Sequence, residues 1–179
     1  MSRPAVFLDR DNTIIRNEGD LGDPECVVLM PTARLALARL HAAGWPLVVI
    51  TNQGGVARGR YGEDDVRAVH ARTQELLGDV PVLDWLWCPY HPTGTVPHYT
   101  REHPWRKPAP GMLLEAASRH GLDLAASWLV GDHDRDIAAG QAVGCRTVLL
   151  GESAGDPPPD FVAGTMQAAA EAILGAPPP

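Results

Sequence analysis

The segment PLVVITNQ, residues 46–53, constrains the fold more than any other part of the chain. It is β-branched and apolar with no polar alternation, the pattern of a strand whose two sheet faces are both covered. Strands of that kind belong to parallel sheets with helices packed above and below. The rest of the chain keeps the same rhythm. AVFL (5–8), VPVLDWLWC (80–88), SWLVGD (127–132) and TVLL (147–150) read as further strands, with FVAG (161–164) a short last one. Between them, TARLALARLHAAG (32–44), EDDVRAVHARTQELLG (63–78), GMLLEAASRHG (111–121), RDIAAGQAVG (135–144) and TMQAAAEAILG (165–175) read as helices, most of them closed by glycine. The alternation predicts an α/β, Rossmann-like fold, a mostly parallel sheet with helices on both faces. With 179 residues, 45% of them hydrophobic, residues 1–175 are expected to form one domain and 176–179 a frayed tail.

Several function classes are excluded at this level. The net charge of −7 gives no electrostatic support for nucleic-acid or anionic-membrane partners. No apolar run approaches the roughly 20 residues that span a bilayer. The opening MSRPAVFLDRD runs straight into a strand, so no signal peptide is expected, and three scattered cysteines, Cys26, Cys88 and Cys145, argue against a disulfide framework. Cys26 and Cys145 are expected to be buried. The expectation is a cytoplasmic, monomeric protein.

In open parallel sheets, functional groups gather beyond the carboxyl ends of the strands. Four polar clusters fall there: DRDNT (9–13), TNQGG (51–55), Arg106 with Lys107, and GDHDRD (131–136). Any one of them could be a turn or a helix cap. Together they bring Asp9, Asp11, Asp132 and Asp136 to one end of the sheet, an unfavourable gathering unless some carboxyls are protonated or a cation sits among them. Oxygen ligands select a hard ion, most simply Mg2+. Asp132 or Asp136 could instead cap the following helix, and Asp136 could do both. TNQGG offers hydroxyl, amide and backbone N–H groups suited to an anion, without the lysine of a nucleotide P-loop. Arg106 and Lys107 add fixed positive charge of the kind a phosphoryl group needs, or form a solvated basic pair.

These motifs, in this order, resemble the haloacid dehalogenase (HAD) superfamily of phosphohydrolases. FLDRDNTI, LVVITNQGGVARG, CPYHP…RKPAPGM and VGDHDRDIAAG are similar to the D-glycero-D-manno-heptose 1,7-bisphosphate phosphatases and the related histidinol-phosphate phosphatases. The resemblance implies the HAD fold, here without a large cap domain, since no insertion is long enough to build one. It implies a Mg2+-dependent phosphatase acting on a small phosphorylated substrate, a heptose bisphosphate first, histidinol phosphate or another sugar phosphate next. Asp9 would be the nucleophile and Asp11 the general acid and base. The Asp9 carboxylate, the Asp11 backbone carbonyl and Asp132 would hold the Mg2+, with Asp136 behind them. Thr51 and Lys107 would act on the transferring phosphoryl group. Asn52, Gln53, Gly54, Arg106, His133 and the loop around Asn17 and Asp20 would contact substrate. Alternation along the strand is expected to send Arg10 away from the two aspartates. A different class, a non-catalytic phospho-acceptor, fits less well, because its accepting aspartate follows the third strand and lacks a second acid two residues on.

The chain departs from the family pattern in three places. Asn12 stands where glycine is usual, a tolerable exchange even at positive φ. His133 stands where the heptose enzymes often carry lysine. The resemblance would also place a structural zinc in the loop before Lys107, but its four ligand positions here are Cys88, Tyr90, His103 and Trp105, and tyrosine and tryptophan do not serve such sites. A substitute zinc set, Cys88, His91, His98 and His103, is chemically available but matches no established spacing. The loop is therefore expected to be ordered by prolines and aromatic packing, without zinc.

Overall fold

The computed structural model describes residues 2–152 and 155–176. Its six strands are β1 (Val6–Leu8), β2 (Leu47–Asn52), β3 (Asp84–Cys88), β4 (Trp128–Gly131), β5 (Arg146–Leu150) and β6 (Phe161–Ala163). The helices are α1 (Ala33–Ala42), α2 (Glu63–Leu77), α3 (Gly111–His120), α4 (Asp134–Gln141) and α5 (Met166–Gly175). The sheet order is β3-β2-β1-β4-β5-β6, and every pairing is parallel. This is the α/β, Rossmann-like parallel sheet that the alternation predicted, and each strand and helix expected from the sequence is present. β3 begins four residues later than the apolar run suggested, because Gln74 on α2 caps Val80 and Val82 and holds that stretch outside the sheet. Of the tail, Ala176 closes α5, and residues 177–179 lie outside the described residues.

Side-chain alternation sorts the core onto the two faces of the sheet. Val6, Leu8, Leu47, Val49, Trp128, Val130 and Val148 face α1, α2 and α5, meeting Leu37, Leu40, Val69, Leu77 and Ile173. Phe7, Val48, Ile50, Leu86 and Leu129 face the other way, against Met112, Leu113 and Ala116 of α3 and Ala139 of α4. β1, β2 and β4 are covered on both sides, which is why their sequences carry no polar alternation. Cys145 is buried as expected; Cys26 is exposed, correcting that expectation, because it ends a surface 3-10 turn (Pro24–Cys26) that contributes nothing to the core. Among the described residues no helix is long and apolar enough to cross a membrane.

Strand order reverses between β1 and β4, the place where such sheets open a crevice. DRDNT leaves β1, TNQGG ends β2 and GDHDRD ends β4, so all three converge on that crevice. The long connection from β3 to α3 brings in Lys107 from the side.

Candidate active site

β1 ends at Leu8, and Asp9 is the first residue beyond it, 3% exposed. Its Oδ1 accepts a hydrogen bond from Lys107 Nζ at 2.8 Å. Lys107 is 2% exposed, and its ammonium also reaches Asp136 Oδ1 at 2.7 Å and the Ile50 carbonyl at 2.8 Å. Two of its protons are placed by hydrogen bonds and Asp136 holds it as an ion pair, so it acts as a fixed charge. Burial alone would lower its pKa, but Asp136 and Asp9 outweigh burial and raise it. For Asp9 the balance tips the other way. Burial, with Asp136 and Asp11 adding to it, overcomes the pull of Lys107 and lifts the carboxyl to about 7.

Asp11 lies beyond the strand, where the chain turns, and this overturns the alternation expected for Arg10. The Arg10 side chain is fully buried and folds back onto Asp11, with Nη2 3.0 Å and Nε 3.3 Å from Asp11 Oδ1. Alternation needs continued extended backbone, and here Ile14 N–H already bonds the Arg10 carbonyl. Asn12 has φ +55°, the left-handed conformation anticipated for the position glycine usually fills. Asp11 also accepts from Asn17 Nδ2 at 2.9 Å and Gln53 Nε2 at 2.8 Å. Burial would raise the Asp11 carboxyl, but the Arg10 charge and these donors win, and its pKa is lowered.

The remaining expected residues divide into those facing the cleft and those supporting it. Thr51 is buried, its hydroxyl 3.4 Å from Asp11 Oδ2 and bonded by Gln53 Nε2 at 2.8 Å. Gln53 is 1% exposed and bonded at both ends of its amide, which places it as support. Asn52 exchanges two hydrogen bonds with the Lys107 backbone, each 3.0 Å, tying that loop to β2. Asp136 accepts from His133 N–H at 3.1 Å, so it caps α4 and pairs with Lys107 at once. Asp132, His133, Asn17, Asp20, Gly54 and Arg106 line one cleft of about 350 Å3 together with Asp11, Asn52 and Gln53.

Sequence reasoning missed three residues that line this cleft: Arg58, Tyr61 and Arg135. Arg58 had a signal, since GGVARG places an arginine one turn after the anion loop. A Cβ on Gly54 would lie 3.0 Å from the His91 ring, 3.2 Å from Arg58 Nη1 and 3.4 Å from Arg106 Nη1, so the bare glycine lets three nitrogen-bearing side chains meet.

A divalent cation fits the carboxylates. Asp132 Oδ1 is buried without a hydrogen-bond partner, its neighbour His133 Nδ1 standing 2.9 Å away outside hydrogen-bond geometry. Asp132, His133 and Asp136 bring potential ligand atoms within 4.8 Å of one another, the one such group among the described residues. Asp9, raised by burial with only a shared lysine to answer it, lacks the positive charge a hard cation would bring.

Cys88, His91, His98 and His103 do not converge. Cys88 Sγ points to the Tyr90 carbonyl, His91 Nδ1 accepts from Thr93 N–H, and His98 stands edge-on to Tyr99. His103 stacks on Tyr90 at 4.3 Å and 16°, with Trp105 edge-on to His103 at 6.2 Å and the Arg101 guanidinium 4.3 Å from the Tyr90 ring centre. The substitute zinc set thus lacks its geometry, and aromatic packing occupies those positions.

The fold and this arrangement define a phosphoric monoester hydrolase of the HAD class. The HAD-hydrolase-like family model matches residues 104–171. The chain is 45% identical over 158 residues to D-glycero-beta-D-manno-heptose-1,7-bisphosphate 7-phosphatase of Mesorhizobium japonicum, covering 86% of this chain and 73% of that one. It is 40% identical over 189 residues to D-glycero-D-manno-heptose-1,7-bisphosphate 7-phosphatase of Thermosynechococcus vestitus, with 97% and 96% covered. The solved D,D-heptose 1,7-bisphosphate phosphatase of B. bronchiseptica, complexed with magnesium and phosphate, superposes with TM-score 0.83 at 30% identity over 96% of this chain and 98% of that one. The chain belongs to the HAD-like phosphatases.

Proposed function

We propose that this chain is a Mg2+-dependent phosphatase of a sugar bisphosphate, D-glycero-D-manno-heptose 1,7-bisphosphate first, working through an aspartyl phosphate on Asp9. The observation that carries the choice of a bisphosphate is the charge in the cleft. Lys107 is committed to Asp9 and Asp136, while Arg58, Arg106 and Arg135, with His91 and His133, line the cleft beside Asp11, Asp20 and Asp132. Two of the arginines, Arg58 and Arg106, crowd Gly54 together with His91. Arg58 is already paired with Asp20, whereas Arg106 and Arg135 carry no ion pair among the described residues, which leaves two positive charges for a phosphate beyond the one at Asp9.

In this reading Asp11, ionised in the free protein, takes up a proton when the dianionic phosphate arrives beside it. An Asp9 carboxylate oxygen then forms a bond to phosphorus while the bond from phosphorus to the sugar oxygen breaks, and that oxygen takes the proton from Asp11. Asp11 then accepts a proton from water, whose oxygen displaces Asp9 and releases phosphate. Thr51 and the Lys107 charge steady the phosphoryl oxygens. Asp9, the Asp11 backbone carbonyl and Asp132 would hold Mg2+, which when bound supplies the charge that offsets the phosphoryl group.

A phosphate-release screen over the heptose bisphosphate, simple sugar monophosphates, histidinol phosphate and nucleotides, with and without Mg2+, tests this. The heptose bisphosphate should have the highest kcat/KM, only with Mg2+. A monophosphate or histidinol phosphate turned over more efficiently would overturn the choice of substrate.

A further inference from the structure

Asp11 is held by a relay of groups, Arg10 and Gln53 buried and Tyr61 half-buried at the cleft wall, that none of the chemistry above uses. Tyr61 O–H donates to Gln53 Oε1 at 2.8 Å, and Arg10 Nη2 donates to the same oxygen at 3.0 Å. Two donors on Oε1 settle which way the amide points. Gln53 Nε2 must then face Thr51 Oγ1 and Asp11 Oδ2, both at 2.8 Å. Arg10 takes Asp11 Oδ1 from the other side, at 3.0 Å and 3.3 Å. Both carboxylate oxygens are thus fixed by groups with no freedom of their own, since Arg10 is fully buried and Gln53 is 1% exposed. Tyr61 is fixed as well. A Cβ on Gly22 would stand 2.5 Å from Tyr61 Cβ, and one on Gly55 would stand 2.4 Å from the Tyr61 ring, so only two bare glycines let the ring lie there.

We propose that Tyr61, Gln53 and Arg10 are positioning residues for proton transfer, a clamp that aims the Asp11 carboxyl at the leaving oxygen. Of the three, only Gln53 was expected from the sequence to meet substrate; the clamp assigns it to Asp11 instead. The inference rests on the reading of Asp11 as the general acid. A side chain that must deliver a proton within hydrogen-bond reach loses rate steeply when its aim is lost, whereas a leaving group stable as an anion does not need the proton.

The test compares two substrates, the heptose bisphosphate, whose alkoxide leaves poorly, and p-nitrophenyl phosphate, whose phenolate leaves unaided. The readout is kcat/KM, which reports steps up to loss of the leaving group. Gln53→Met removes both donors at similar size and should lower kcat/KM for the heptose bisphosphate at least tenfold more than for p-nitrophenyl phosphate. Tyr61→Phe, which removes one hydroxyl and keeps the ring between its glycines, should shift the ratio the same way, about threefold. Equal losses on both substrates, or no loss, would overturn the clamp, and if Gln53→Met does not fold the Tyr61→Phe ratio decides alone. Asp11→Asn is the control for the underlying reading. If it shows no leaving-group dependence, Asp11 is not the acid and the inference falls with it; if it does and the other variants do not, only the clamp fails.

Discussion

Lys107 places one ammonium 2.8 Å from Asp9 and 2.7 Å from Asp136, so a single buried cation answers two buried carboxylates. Two negative charges to one positive leave an excess of one, which the proposed divalent cation beside Asp9 and Asp132 would offset. Removing the lysine alone leaves two buried acids facing each other, which costs more than the pair itself contributes. Lys107→Met should therefore lose phosphatase activity and also about 3 kcal/mol or more of stability in the absence of metal. Urea denaturation with and without Mg2+ checks it; a variant as stable as the parent would mean that the two carboxyls share protons and need no counter-charge.

Asp9→Asn should behave differently. The amide keeps the shape of the carboxylate, and Lys107 retains Asp136 and the Ile50 carbonyl. Phosphate release should fall by about a thousandfold or more, since the attacking oxygen is gone, with the melting midpoint little changed. Retained turnover would show that the nucleophile lies elsewhere.

The outer arginines predict a specificity effect. Arg106→Ala and Arg135→Ala should each remove one charge-assisted contact to the proposed second phosphate, worth about 1.5–3 kcal/mol. That corresponds to roughly tenfold to a hundredfold in kcat/KM for the heptose bisphosphate, with little change for a monophosphate. Equal effects on both substrates would place the arginines at the transferring phosphoryl group.

The aromatic loop predicts a metal content. Tyr90 and His103 stack where the resemblance would place zinc ligands, and such a stack contributes about 1 kcal/mol beyond its buried area. Tyr90→Ala should thus lower stability modestly, and protein purified without added zinc should hold less than one equivalent. A full equivalent, lost on His103→Ala, would show that the loop closes around metal after all.

The parts of the fold that were legible in the sequence are those set by burial. LVVI and WLVG announce strands covered on both faces because water is absent from both, and the glycines after α2 and α3 mark helix ends that only a positive φ permits. Asp9, Asp11, Asp132 and Lys107 were legible because each sits at a strand end or in a motif of fixed spacing. What the sequence withheld was side-chain direction in irregular backbone. Arg10 obeys no alternation once the strand stops, Asn52 turns to the Lys107 backbone, and Gln53 turns inward because the distant Arg10, with Tyr61, holds its amide. Such choices are made by partners distant in sequence, and no local pattern encodes them.

His70 carries the last prediction. It sits on α2, 5% exposed, stacked on Trp85 at 4.8 Å and edge-on to Trp87 at 5.5 Å, and its Nε2 has no hydrogen-bond partner. Burial, helped by the nearby Arg10 charge and opposed by Asp11, pulls the imidazole from its ordinary 6.5 down to about 3. The unfolded chain therefore takes up a proton at this residue as the pH falls below about 6.5, while the folded chain refuses it until near 3. Protons bound more tightly by the unfolded state draw the equilibrium toward it, so His70 makes stability fall with falling pH across that window and leaves it unaffected above. The slope from one such group is at most about 1.4 kcal/mol per pH unit. His70→Phe keeps the ring stack and removes the titration. Urea midpoints at pH 7.5 and pH 4.5 should thus lie closer together in the variant than in the parent. Parallel losses in the two proteins would mean that the folded state accepts the proton on His70, and that Nε2 finds a partner when it does.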